Sequence, residues 1–452
     1  MMKYNILTLS NGLRVIHLPS SSPVVYCGYQ IAAGSRHEAP GEEGLAHFCE
    51  HMTFKGTRKR NALQIINALE RVGGELNAFT NKEDTTFYAA IHRDHFRLAV
   101  ELLTDIVFNS QYPQVEIDKE VEVICDEIES YNDSPAELIY DEFENLLFEG
   151  HPLGHNILGE EDQLRSFTTE DALRFTRRYY RPDNAVFFVF GDVNFSSNNL
   201  SPNNLSSFPS PQGRGDRYSA IVNILKKAGS ENFVAVDSLD KLPSTAKISG
   251  DEVTISPPLW GGAGGEVVGG ENPILRHKDT HQAHVMMGCR AYHFNHPRRM
   301  ALFLLNNLLG GPGMNSRLNL SLRERHGLVY TVESSMVSYS DTGLWAVYFG
   351  CDPKDVSKCR RLVRQQLDRL MDKPLSGAQL KAAKQQIKGQ IAIGCDNREQ
   401  FALDFGKSFL HHGTEKDVDV LFKKIDAVTA ADIQQVAREL FDAKGMLTLI
   451  YT

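Results

Sequence analysis

An internal repeat constrains the fold of this chain more than any other sequence feature. The strand-like segment Glu83–Ile91 resembles Ser340–Tyr348, about 260 residues further along the chain. Thr168–Asp171 and Thr429–Asp432 recur at a similar spacing, and each has the form of a capping box that begins a helix followed by a last strand. The repeat therefore predicts two homologous domains within the 452 residues.

The N-terminal part of the first half shows a strand pattern. Tyr4–Ser10 and Leu13–Leu18 alternate apolar and polar residues around Asn11-Gly12, which is a strong signal for a hairpin. Val24–Ala33 is a further strand candidate, and helical patterns follow at 95–108 and 117–131. Strands and helices are therefore mixed within each repeat.

The overall composition indicates a soluble globular protein. Lys and Arg number 48 against 57 Asp and Glu, and the net charge of −9 argues against a nucleic-acid binder. No run approaches the roughly 18 apolar residues of a membrane span, and the N-terminus shows no signal peptide. The seven cysteines are scattered without CxxC pairs, so a disulfide framework is not expected. We expect a cytoplasmic protein without membrane insertion.

The segment Gly44–Phe54 contains the pattern His47-x-x-Glu50-His51 and reads as a short helix. Residues four apart on a helix share a face, so both imidazoles can bind one tetrahedral zinc ion. Glu50 lies on the same side, where it can act on a water molecule rather than bind the metal. The motif is the inverzincin signature. The alternative is that two histidines and an acid serve only surface or packing roles, and a third ligand would decide between them.

The predicted helix at 117–131 offers candidates for that third ligand. Glu120 and Glu127 are two full turns apart and share a face. The alternative is a solvated acidic face, because Glu116, Glu122, Asp126 and Glu129 lie on the same helix.

These residues together resemble the pitrilysin, insulysin and mitochondrial processing peptidase family of zinc peptidases. The similarity rests on the His47–His51 motif, Glu127 downstream with Glu120 seven residues before it, the Gly73–Thr80 run and the Gly191–Val193 strand end. In that family the two His and the distal Glu bind zinc. The resemblance thus implies one Zn²⁺ per chain held by His47, His51 and Glu127, with Glu50 as the general base and Glu120 as a supporting residue.

The second half repeats the pattern of the first without its metal motif. Its helix at 379–392 has Gln390 at the position of Glu127, and it contains no HxxEH. In the family, an Arg and a Tyr seven residues apart in the second domain reach bound substrate, and the resemblance assigns that role to Arg323 and Tyr330. The alternative is a surface Arg and a strand Tyr. The resemblance also makes Asn77, Ala78, Phe79 and Thr80 the edge on which an extended peptide adds as a strand.

The repeat and the resemblance predict an α+β fold. Each of two homologous domains is a mostly antiparallel sheet with helices on one face, and together they make half of a metallopeptidase clamshell. The predicted domains are a zinc-binding catalytic domain at 1–195 and a homologous domain at 272–452. Residues 196–271 are rich in Ser, Asn, Pro and Gly and form a predicted insertion and linker, with a helix candidate at 218–228.

The predicted activity is that of a zinc-dependent endopeptidase on peptides or unfolded polypeptide segments. Family members close their chamber with four such domains, so this two-domain chain is expected to form a homodimer, or a heterodimer with a paralogous chain. The alternative function is a non-catalytic structural or processing-complex subunit of the same fold. Such relatives typically lose part of the metal set, whereas every member is present here.

Overall fold

The chain forms two sheets, one in each half of the sequence. The computed structural model describes residues 3–193, 214–230, 273–278 and 280–452, with only the backbone for 214–219. The first sheet has the strand order β1-β2-β6-β3-β5-β4. Its strands are β1 (Asn5–Thr8), β2 (Arg14–Pro19), β3 (Val24–Ile31), β4 (Glu75–Thr80), β5 (Thr85–His92) and β6 (Ala185–Gly191).

The second sheet has the strand order β7-β11-β8-β10-β9. Its strands are β7 (Ile274–Arg276), β8 (Ala283–Ala291), β9 (Val329–Ser338), β10 (Gly343–Cys351) and β11 (Leu447–Tyr451). Within the described residues, only the β2–β6 and β7–β11 pairs are parallel. The prediction of two mostly antiparallel sheets is therefore confirmed.

The hairpin predicted around Asn11-Gly12 is present. β1 and β2 pair antiparallel, with Asn5 opposite His17 and Thr8 opposite Arg14. Gly12 adopts φ of 84°, a left-handed conformation that glycine reaches without a steric penalty. The turn chemistry of the sequence therefore determines the register at the start of the first sheet.

Most helices of each half belong to its own core, and one helix of each half packs on the sheet of the other. The first half contributes α1 (Leu45–Thr53), α2 (Ala62–Glu70), α3 (Phe96–Asn109), α4 (Gln114–Asn132), α5 (Pro135–Leu147), α6 (Glu161–Leu164) and α7 (Thr169–Tyr179). The second contributes α9 (Arg299–Gly310), α10 (Val356–Asp372), α11 (Gly377–Gly394), α12 (Arg398–His412), α13 (Val418–Ala427) and α14 (Ala430–Leu440). The predicted capping boxes are present at Thr168 and Thr429, where they begin α7 and α14.

The two halves exchange one helix each, which the sequence did not indicate. α12 of the second half packs on the free face of the first sheet, where Phe401, Phe405 and Phe409 are buried. α5 of the first half packs on the second sheet in the same way through Ile139 and Phe143. Each sheet thus has helices on both faces, and each half removes apolar surface of the other from water.

Part of the predicted insertion is an ordered helix of the first half. α8 (Arg214–Lys227) packs against α3, with Ile221, Val222 and Leu225 in the first core. The predicted low-complexity tracts at 196–213 and 261–270 lie outside the described residues, so the domain boundaries at 195 and 271 stay predictions. Across the described ranges, every helix is too short or too polar to cross a membrane.

The repeat also organises the contact between the two halves. Glu83 and Ser340 occupy equivalent repeat positions, and the Ser340 hydroxyl donates a 2.6 Å hydrogen bond to Oε1 of Glu83. The next equivalent pair, Asp84 and Asp341, binds a histidine of the opposite half in each case. Asp84 contacts His411 at 3.1 Å, and Asp341 contacts His151 at 3.3 Å. The contacts between the two halves are therefore related by an approximate local twofold axis.

Asp84 is expected to stabilise this contact strongly, because it is buried and also pairs with Lys407 at 2.8 Å. Burial alone would raise its pKa, but the His411 hydrogen bond and the Lys407 charge outweigh burial and lower the pKa to about 2. Asp84→Asn should reduce the free energy of unfolding by about 3 kcal/mol at neutral pH. Chemical denaturation monitored by circular dichroism measures the loss.

The pH dependence of that loss follows from the lowered pKa. The pKa of an Asp in an unfolded chain is about 4. The stabilisation by Asp84 is therefore complete above about pH 5 and disappears as the pH falls toward 2. The difference in stability between wild type and Asp84→Asn should therefore shrink on acidification. A difference that stays constant from pH 7 to pH 3 would contradict the assigned role of the carboxylate.

Candidate metal centre

α1 is a buried helix whose inner face belongs to the first core. Leu45, Phe48, Cys49 and Met52 are fully buried there. Its first turn is capped from outside the helix, because the Glu38 carboxylate accepts hydrogen bonds from the N–H groups of Gly44 and Ala46. A negative charge at this end is favourable. Glu38 is a supporting residue that the sequence reasoning missed, because only the chain path brings it to the helix end.

The opposite face of α1 places His47 and His51 together with Glu127 of α4. Oε2 of Glu127 lies 3.4 Å from Nε2 of His51 and 3.9 Å from Nε2 of His47. One potential ligand atom from each of the three residues lies within 4.8 Å of the others. Tetrahedral zinc with nitrogen and oxygen ligands holds them about 3.4 Å apart. Two imidazoles and one carboxylate at these separations suit zinc with a fourth position open.

Glu120 orients the His51 ring through a contact with its Nδ1 atom. Oε1 of Glu120 lies 3.0 Å from Nδ1 of His51, and its other oxygen pairs with Lys55. Burial raises the pKa of Glu120, but the hydrogen bonds from His51 and Lys55 outweigh burial and lower it. An ionised carboxylate only accepts hydrogen bonds, so Nδ1 must carry the proton and Nε2 is free to bind a metal.

The two histidines differ electrostatically in the absence of metal. Burial lowers the pKa of His47 to about 4, so this ring is neutral. Burial also lowers the pKa of His51, but the hydrogen bonds to Glu120 and Glu127 outweigh it and raise the pKa to about 9. A metal at Nε2 of His51 therefore competes with a proton, and binding releases that proton.

Glu50 lies beside the cluster, and its carboxylate is held by a neighbour on the edge strand. The Thr80 hydroxyl donates a 2.6 Å hydrogen bond to Oε2 of Glu50. Burial raises the pKa of Glu50, while the Thr80 hydrogen bond lowers it by less. The sequence had placed Thr80 only among substrate-binding residues. The structure thus gives Thr80 a contact with the predicted general base.

The predicted substrate strand is the edge of the first sheet. β4 contains Asn77, Ala78, Phe79 and Thr80, and among the described strands it pairs only with β5, to which it is antiparallel. It also packs against α1. β4 is the last strand in the order of the described sheet, and strand addition requires such an edge position. Its substrate role stays a prediction.

Arg323 and Tyr330 are close to each other. Arg323 lies at the end of the π-helical turn Asn319–Glu324, and its guanidinium is 5.7 Å from the centre of the Tyr330 ring. Tyr330 is the second residue of β9 and is 81% exposed. Among the described residues, no hydrogen bond or ion pair joins this pair to His47, His51 or Glu127. Their role toward substrate stays a prediction.

Comparison with protein-family models gives two adjoining matches. Residues 14–161 match the model described as Insulinase (Peptidase family M16). Residues 166–387 match the model described as Peptidase M16 inactive domain. The first match contains His47, His51, Glu120 and Glu127, and the second covers much of the half in which the sequence lacks an HxxEH motif.

Curated relatives match the chain over nearly its full length. An uncharacterized zinc protease of Bacillus subtilis is 31% identical over 98% of this chain and 97% of its own length. An uncharacterized zinc protease of Streptomyces coelicolor is 31% identical over 98% of this chain and 88% of its own.

Solved structures share the fold. A protease from Helicobacter pylori superposes with a TM-score of 0.80 at 23% identity and covers 100% of both chains. A structure titled peptidase M16 inactive domain, from Pseudomonas fluorescens, superposes with a TM-score of 0.79 at 16% identity, over 100% of this chain and 98% of that one.

Proposed function

This chain belongs to the insulinase family of peptidases, and on that premise we propose that it is a zinc-dependent endopeptidase acting on peptides or unfolded polypeptide segments. The observation that carries the proposal is the convergence of His47, His51 and Glu127 with Glu50 beside them. The donor atoms come from two helices, α1 and α4, that pack against each other. A cluster of this kind in a zinc-protease family supports hydrolysis rather than a purely structural role.

His47, His51 and Glu127 would hold one zinc ion, and Glu120 would keep His51 in the tautomer that binds it. When bound, zinc supplies a Lewis acid that polarises a peptide carbonyl and makes a water molecule more acidic. The Lys55 ion pair holds Glu120 in its charged form. Metal binding by this chain therefore depends on five side chains: His47, His51, Glu127, Glu120 and Lys55.

Glu50 would take the proton of the attacking water and pass it to the leaving amine. Its carboxylate is buried and held by Thr80, so few orientations are open to it. An extended substrate would pair with β4, which positions its backbone beside α1. Arg323 and Tyr330 would then donate hydrogen bonds to the substrate carbonyl and backbone.

Two domains make half of a chamber, so we also propose that the active form is a homodimer. A heterodimer with a paralogous chain is the competing assembly. Light scattering gives the oligomeric state of the purified chain, and a peptidase assay on the same sample gives its activity. A fully active monomer would refute both the homodimer and the heterodimer. An inactive chain that gains activity only with a second chain would favour the heterodimer.

The proposed function is tested by metal removal. We expect about one zinc per chain by atomic absorption, with hydrolysis of an unstructured peptide pool detected by mass spectrometry. Dialysis against a chelator should abolish hydrolysis, and added zinc should restore it, because the water is activated only beside the metal. Hydrolysis that persists in the zinc-free protein would refute the mechanism, and zinc without hydrolysis by any assembly would favour a non-catalytic subunit.

A further inference from the structure

Two open cavities lie side by side on the first half, next to the metal centre. One, of about 500 Å³, lies between α2 and α3 and is lined by Leu63, Arg71 and Leu98. The other, of about 570 Å³, lies between the segment from Lys55 to Leu63 and the start of α4. Lys59, Arg60 and Leu63 line both cavities. The two therefore form one continuous concave surface.

Basic side chains dominate this surface. We define the basic groove by six of its lining residues: Lys55, Arg58, Lys59, Arg60, Leu63 and Arg71. Among the described residues that line the two cavities, Glu116 is the only carboxylate, and it pairs with Lys119 at 2.8 Å. Five basic side chains therefore line the groove of a chain whose net charge is −9.

Part of that positive charge is not neutralised within the chain. Lys55 pairs with Glu120, and Arg60 pairs with Asp105. The exposed side chains of Lys59 and Arg71 form no ion pair with any described residue. They are therefore available to a bound anionic group.

The groove also offers apolar contact. Leu63 is 68% exposed where the two cavities meet, and Val115 is 67% exposed on the wall of the second. Exposed aliphatic side chains within a charged concave surface are typical of a protein-binding site. The mixture fits a peptide that has carboxylates beside an aliphatic residue.

The basic groove adjoins the metal centre. Lys55 lines the second cavity and binds Glu120, which in turn holds His51. Glu116 at the groove and Glu127 at the metal centre both lie on α4, about 16 Å apart along the helix axis at a rise of 1.5 Å per residue. An extended peptide covers that distance in about five residues.

We propose that the basic groove is a second binding site for substrate, which takes an acidic segment about five residues from the bond that is cut. The proposal rests on the proposed function, because it assigns the groove to the substrate of that same centre. Lys59 and Arg71 bind the carboxylates, and Leu63 contacts an aliphatic side chain between them. The site favours acidic over neutral peptides and raises their rate of association.

The binding test uses the Glu50→Gln chain, so that no peptide is consumed. Two fluorescein-labelled peptides are compared by anisotropy: an unstructured peptide with a Glu-Glu-Leu-Glu segment, and the same peptide with Gln for each Glu. The acidic peptide should bind at least about tenfold more tightly at low salt, and the difference should narrow as salt screens the charges. Equal affinities would overturn the proposal.

Charge reversal locates the site. Lys59→Glu combined with Arg71→Glu should weaken binding of the acidic peptide about tenfold or more. The matched control is Lys358→Glu with Lys381→Glu, two exposed lysines of the second half that make the same change in net charge. Thermal unfolding of each variant verifies folding. An equal loss of affinity in both double variants would overturn the proposal.

The outcomes separate this inference from the proposed function. Selective binding by the Glu50→Gln chain, with no cleavage by wild type in any assembly, would support the groove as a peptide-binding site and refute the peptidase. Cleavage by wild type with no preference for the acidic peptide in kcat/KM would refute only the groove. Displacement of the peptide by a lower concentration of oligo-uridine than of the unlabelled peptide would make the groove a nucleic-acid site and overturn the proposal.

Discussion

Replacing Glu50 with Gln is expected to abolish peptide hydrolysis while leaving zinc bound. The amide has nearly the shape of the carboxylate, and its oxygen can still accept the hydrogen bond from Thr80. It cannot accept a proton from water, so we expect kcat to fall at least about a thousandfold. Glu50 is not one of the three clustered ligand candidates, so the zinc content should stay near that of wild type.

Parallel assays of zinc content and hydrolysis test this expectation. The control is Glu70→Gln, an exposed carboxylate at the end of α2 that should keep both properties. Full activity in Glu50→Gln would refute the assignment of the general base. Loss of zinc together with activity would instead make Glu50 part of the metal site.

Replacing Glu127 with Gln is expected to remove zinc and activity together. Oε2 of Glu127 approaches both histidines, so the amide removes the only anionic candidate of the described cluster. A neutral amide oxygen is a much poorer zinc ligand than a carboxylate, and we expect zinc affinity to fall at least about a hundredfold. Competition with a chelating dye measures the change in affinity.

The control for Glu127→Gln is close to it in sequence. Glu129 is exposed on the same helix and lies outside the cluster, so Glu129→Gln should keep wild-type zinc and hydrolysis. Zinc retained at full affinity in Glu127→Gln would refute the proposed ligand set. Absence of zinc from wild type would mean that this chain has kept the family fold without its metal chemistry.

Local patterns in the sequence identified the two histidine candidates for the metal site. The four-residue spacing of His47 and His51 on a helix places both rings on one face, whatever surrounds the helix. The family resemblance then selected Glu127 among several acids of one helix, which helical spacing alone could not do. Capping boxes and the Asn11-Gly12 turn are equally local, and the structure has each of them where the sequence predicts.

Contacts between distant segments could not be found in this way. The exchange of α5 and α12 depends on which sheet face each helix reaches, and that contact joins segments far apart in the chain. The sequence also did not indicate the hydrogen bond from the Gly44 N–H to Glu38 at the start of α1, or the one from Thr80 to Glu50. The basic groove is similar, because Lys59 and Arg71 come together only when α2 folds beside α3.

The sequence by itself determined the two-domain repeat, the elements around the motif and the chemical identity of the metal candidates. The elements and the His47 and His51 pair follow from spacing within single helices and turns, whereas the repeat follows from similarity between distant segments and the choice of Glu127 from the family resemblance. Only the tertiary structure decided how the halves interlock, which groups hold the predicted catalytic side chains, and which basic side chains line one groove. Those features join residues far apart in the chain, and packing of the whole fold sets their distances.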